Sequence, residues 1–142
     1  MAVHQLFSIK IGNRELVPAI AIKRLRTILK FGSTVFGLSA IFLIVDPRRF
    51  LDLLNLESTD SLQWSMRMIA ITLIALNGNM LSVARFGSET SVVFSARVMV
   101  ISAAALGVLT LLIPADFGWF TIAYAAIGFL FSLAYISALV RK

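Results

Sequence analysis

The 142-residue chain has no cysteine, one histidine, three prolines and seven acidic residues. Without cysteine there can be no disulfide, no thiolate catalysis and no cysteine ligation of zinc or an iron–sulfur cluster. The single histidine, His4, lies in the N-terminal segment, so histidine ligation of haem or metal in the body of the chain is excluded as well. None of the acidic residues falls inside the long apolar runs. A proton-coupled carrier needs a titratable group at membrane depth, and acid/base chemistry between carboxylates needs a pair of them in one cavity. Neither requirement is met, and the polar loops are too short to hold a soluble active site. The expectation is a protein that is not an enzyme and carries no cofactor.

Charge is also scarce. Only 14% of residues are charged and 59% are hydrophobic, against about 25% charged in ordinary soluble domains. Such a chain cannot cover its apolar surface with polar groups, which makes the lipid bilayer its first partner. The net charge of +6 is explained by loop lysines and arginines of a membrane protein rather than by nucleic acid.

A helix crosses the hydrocarbon in about 20 residues, and four stretches meet that length, at about 27–45, 66–86, 92–113 and 117–140. The fold class expected is all-α: a polytopic membrane protein with four transmembrane helices and a basic amphipathic N-terminal segment. Residues 1–26 form that segment and 27–142 the four-helix domain, with no repeat or second domain visible. The first span follows some thirty residues of chain and leads into "DPRRF" without a small-residue cleavage pattern, so it reads as a retained helix. Ten lysines and arginines fall on the side of the two termini and three on the other (Arg48, Arg49 and Arg67). The positive-inside rule then places both termini in the cytoplasm, and the layout, with "WSMR" opening the second span, resembles many bacterial inner-membrane proteins of four helices. Two small four-span families do not fit. Small multidrug exporters depend on a glutamate in the first span, which is missing, and "FGSETSVVF" does not reproduce the third-helix motif of fluoride channels.

In the N-terminal segment, residues 6–17 alternate loosely around Gly12-Asn13 and suggest a small hairpin. Pro18 suits the first position of a helix. Beyond it Ile22, Leu25 and Leu29 share one face, and Lys23, Arg26 and Lys30 another. With Arg24 these cations suit a helix lying on the membrane surface against anionic lipid headgroups, or docked on a partner. On the other side of the membrane, Phe50, Leu53 and Leu54 suggest a short interfacial helix, and Asp60 with Gln63 a capping box. Trp64 and Trp119 fall at the interface, where indole is favoured.

The residues that most need explaining are in "IALNGNMLSVAR", residues 74–85. Asn77 and Asn79 interrupt an apolar run, and an amide in hydrocarbon must find a hydrogen-bond partner. At 100° per residue they point about 200° apart, so each needs its own. Asn79 shares a small and polar stripe with Thr72, Ala75 and Ser82 and is expected to bond within the bundle. Asn77 lies near the middle of its span among Ala70, Leu73, Leu81 and Ala84. It could meet a group of its own bundle (Ser102 or Thr110), a partner chain, or a ligand or ion path. Small-residue pairs that would allow close helix contact recur as Ser33/Gly37, Ala103/Gly107 and Gly128/Ser132. Arg97 is about 7.5 Å into the third helix, shallow enough to reach the surface beside Glu89, and is otherwise a possible functional charge. Phe117, Phe120, Tyr124, Phe131 and Tyr135 line one side of the fourth helix, a stripe that suits packing first and a quinone, pigment or lipid tail second.

Two functions follow from this reading. The first is a non-catalytic accessory subunit of a larger membrane complex, packing through Asn77, Asn79, Ser82, Gly128 and Ser132. The second is a homo-oligomeric channel or lipid/solute carrier, with Asn77 and Asn79 lining a polar path.

Overall fold

The computed structural model describes residues 18–140. Five helices follow in order: α1 (Ala19–Val45), α2 (Pro47–Leu53), α3 (Asp60–Phe86), α4 (Glu89–Leu111) and α5 (Trp119–Val140). Four of them, α1, α3, α4 and α5, are long and apolar enough to cross a membrane. The hairpin expected over residues 6–17 lies outside the described residues, as do His4, Arg141 and Lys142.

The boundaries have local causes. Pro18 precedes the first turn of α1, and Asp46 both ends that helix and caps α2, its carboxylate accepting the Arg49 N–H at 3.1 Å while Pro47 takes the first helical position. α2 ends at Asn55, the one non-glycine residue with positive φ (55°) among those described. Its left-handed backbone lets the Leu56 N–H reach back to Leu51 O at 3.0 Å. α3 is capped by Thr59, whose hydroxyl accepts from the Leu62 N–H at 3.3 Å. The N-cap thus lies one residue before the expected Asp60, and no capping box forms: Leu62 stands at its third position, and Gln63 donates instead to Ser58 Oγ at 3.1 Å. Ser88 caps α4 by accepting from the Ser91 N–H.

The largest departure from expectation is at the start of α1. Instead of a surface helix followed by a span, one helix of 27 residues extends about 40 Å, and the boundary placed between residues 26 and 27 falls inside it. Ile22, Leu25 and Leu29 are buried against the bundle, and Gly32 and Ser33 continue the same stripe one turn further on. Because the apolar face never changes direction, nothing bends the helix at residue 27.

α1 packs along α3, and α4 along α5, as two antiparallel pairs. α1 also touches α4 and α5, whereas α3 and α4 meet only sparsely. The core has two parts. At the end where α1 begins and α5 finishes, Leu25, Leu29, Met80, Ala84, Val92, Ala96, Met99, Tyr135 and Ala138 form one cluster. At the opposite end Leu43, Phe50, Leu54 and Ala70 form the other. There α2 plugs the bundle. The Phe50 ring makes edge contacts with Phe42, Phe120 and Tyr124 at centroid distances of 5.6, 5.6 and 5.8 Å. Asn55 ties this plug to the α4–α5 loop by donating to Asp116 O at 2.8 Å. Outside the two clusters the long helices expose large apolar side chains such as Phe31, Leu38, Ile71, Ile101 and Leu130, a surface that hydrocarbon accommodates and water does not.

Candidate functional site

The two asparagines have different surroundings. Asn77 points from α3 toward α1, where the Ser33 hydroxyl donates to its side-chain oxygen and also approaches its backbone carbonyl at 3.3 Å. Gly37 makes the approach possible, since a Cβ there would stand 2.7 Å from Asn77 Nδ2. The partner is thus neither Ser102, which is exposed, nor Thr110, whose hydroxyl bonds Leu106 O within its own helix. Asn77 locks α1 to α3.

Asn79 does not bond within the bundle as expected. It is exposed, and its amide makes no hydrogen bond among the described residues. The stripe it belongs to, with Thr72, Ala75 and Ser82, is exposed along its length. So is Gly78, where an added Cβ would meet nothing within 4 Å. Asn79 lines the rim of a cleft of about 440 Å³ between α3 and α4, with Thr90, Ser91 and Ser95 contributing hydroxyls and Met80, Phe94 and Met99 apolar surface. Of the four long helices α3 is both the least apolar and the least buried. Gly78, where a distortion could have turned both asparagines to one neighbour, lies in unbroken helix; its cost of about 0.5–1 kcal/mol in a helix interior is the sequence signal that marks it.

The α4–α5 contact forms where the small residues suggested. Gly128 rests on the α4 backbone, with Ala103 O only 2.8 Å from where its Cβ would stand, and Ser132 Oγ donates to Val100 O at 2.9 Å. Both residues are buried. Ser82, by contrast, is exposed on α3.

The basic residues of α1 divide by direction. Arg26 crosses to the end of α3, where its guanidinium donates to Ala84 O at 3.0 Å and Gly87 O at 2.7 Å, with Val83 O at 3.5 Å. Ala84 O and Gly87 O are carbonyls that the end of the helix leaves without backbone partners, at the negative end of the helix dipole, while Val83 O also accepts the Gly87 N–H. Arg26 is therefore a cap within the chain and not part of a docking face. Lys23, Arg24 and Lys30 are exposed. Arg97 is exposed too, and no ion pair joins it to Glu89; among the described residues the one ion pair is Arg49 with Asp46, at 3.5 Å.

The aromatic stripe of α5 is divided between the two clusters. Phe120 and Tyr124 pack on Phe50, Tyr135 is fully buried at the other end, and Phe117 is exposed. Two buried hydroxyls, of Thr121 and Tyr135, take no partner among the described residues. No family model matches the chain, and neither a curated protein nor a solved structure matches it.

Proposed function

We propose that the chain is a non-catalytic integral membrane protein that serves as an accessory subunit, packing against another transmembrane chain through the exposed face of α3. The reading includes insertion into a bacterial inner (plasma) membrane with both termini in the cytoplasm, from the ten-to-three distribution of Lys and Arg. The observation that carries it is an inversion: the helix least suited to hydrocarbon is the one its own bundle covers least. On that face Ala75, Gly78 and Ser82 offer the close backbone approach used by membrane helices, and Asn79 offers an amide without a partner among the described residues. A neighbouring helix supplying a carbonyl or hydroxyl would satisfy Asn79 and explain why glycine stands at 78.

A polar path lined by both asparagines has less support. Asn77 is held by Ser33, and Asn79 faces away from it.

The test is size analysis after gentle extraction from the native membrane, identifying each co-migrating polypeptide. The expected result is migration in fixed ratio with a different chain, lost in Gly78→Leu and in Asn79→Leu but retained in Leu130→Ile on the exposed surface of α5. A single chain, a pure homo-oligomer, or a complex unaffected by both α3 substitutions would overturn the proposal.

A further inference from the structure

We infer that the seam between the first turns of α1 and the last turns of α5 is a binding site for one anionic phospholipid. This inference needs membrane insertion but is independent of the α3 interface. A groove of about 420 Å³ opens there, with the exposed Lys23, Arg24 and Ile20 at its mouth and the less exposed Ile28 and Ala138 forming an apolar floor. Neither cation has an acidic partner among the described residues. The contrast with Arg26 is informative, because that side chain, two positions further on, is committed to the carbonyls of α3.

The chemistry of the ligand follows from the lining. Thr27 and Ser137 also border the groove, but their hydroxyls donate within their own helices, to Lys23 O at 3.0 Å and Ala134 O at 2.8 Å. Their protons are not free for a ligand, so recognition at the mouth comes from two positive charges, which select an anion over a zwitterion. The surface then continues apolar. Phe31 lies seven residues beyond Arg24 on α1, and Leu133 and Leu130 lie four and seven residues before Ser137 on α5; these spacings keep each on the groove side of its helix. All three are exposed. A free phosphate would use only the mouth of this surface. An acidic peptide laid along the apolar track would leave backbone groups unbonded in hydrocarbon. A phosphate carried on acyl chains matches both parts.

The experiment is native mass spectrometry of the full-length chain released from nanodiscs of equal phosphatidylcholine and phosphatidylglycerol, counting retained lipids. One phosphatidylglycerol should stay bound in preference to phosphatidylcholine. Lys23→Gln/Arg24→Gln should weaken its retention about thirtyfold, roughly fivefold for each cation lost near the membrane surface. Lys30→Gln, an exposed cation of α1 outside the groove, should leave it unchanged. Far-UV circular dichroism checks that each variant is folded, and the two single variants replace the double one if it is not. Equal retention of the two lipids, equal loss in Lys30→Gln, or displacement by soluble glycerol 3-phosphate would each overturn the inference.

Discussion

Replacing Gly128 by alanine tests how tightly α4 and α5 are joined. The new methyl carbon would stand 2.8 Å from Ala103 O, 3.0 Å from Gly107 N and 3.2 Å from Gly107 Cα. All three are backbone atoms, so no change of rotamer relieves the overlap and the helices must move apart. Overpacking of this kind costs about 1–3 kcal/mol, and a backbone obstacle argues for the upper half of that range. Alanine recovers roughly 0.5–1 kcal/mol of helix propensity relative to glycine, leaving a net loss of about 1–2.5 kcal/mol. Separation also strains the Ser132–Val100 hydrogen bond one turn away, adding about 0.6 kcal/mol if it breaks. Gly78→Ala is the matched control. It makes the same chemical change where nothing lies within 4 Å, so only the propensity gain of about 0.5–1 kcal/mol remains. Reversible unfolding of the isolated chain in mixed micelles, driven by increasing dodecyl sulfate and followed by circular dichroism, should show the two variants displaced in opposite directions. If Gly128→Ala unfolds no earlier than the parent chain, or Gly78→Ala falls as far, the contact geometry does not govern stability and the reasoning fails.

Two further predictions concern polar contacts. A double-mutant cycle between Ser33→Ala and Asn77→Ala should return a coupling of about 0.6 kcal/mol, the average for such bonds between membrane helices, while a cycle pairing Ser33→Ala with Asn79→Ala should return none; unfolding in the same micelles measures both. Removing the guanidinium with Arg26→Gln should speed hydrogen exchange of the Gly87 amide, which bonds Val83 O at 3.0 Å, by at least about tenfold, since bonds to charged groups contribute about 1.5–3 kcal/mol. Arg26→Lys should restore only part of the protection, because an ammonium lacks the planar fork that serves two carbonyls at once.

The four long helices were legible in the sequence because hydrocarbon thickness imposes a length and because Asp46-Pro47 and Pro114 interrupt the apolar runs. Which side of each helix faces inward was not. In a soluble protein the apolar face is the buried one, but lipid is as apolar as a protein core, so that contrast disappears. Asn77 shows the consequence. Its neighbours Ala70, Leu73, Leu81 and Ala84 gave no polar signal, yet Ala70 and Ala84 are buried and this is the face that meets α1. What marked it was size: the small Ala70 and Ala84 lie one heptad to either side of Asn77, which stands opposite Ser33 and Gly37. The polar stripe through Asn79 suggests an inner face, yet it is exposed. At the start of α1, positive charge suggested a helix lying flat, while the unbroken stripe of Ile22, Leu25 and Leu29 into Gly32 and Ser33 carried the correct information. The reach of Arg26 to the end of α3 spans 61 positions of chain, and no local pattern encodes that.

The pairing of α1 with α3 and of α4 with α5 has a consequence for the order of events during synthesis. Each helix finds its main partner in the next long helix along the chain, so the first hairpin can close, with Ser33 on Asn77, before α4 has been made. The second closes on Gly128 and Ser132 in its turn. Local partners of this kind favour rapid, stepwise assembly over a search among distant segments. The last event is then the docking of two finished halves, with Asn55 reaching Asp116 across the plugged end. The sparse α3–α4 junction, where the halves join through Gly87 and Ser88, becomes the natural place to divide the chain into two fragments that reassemble.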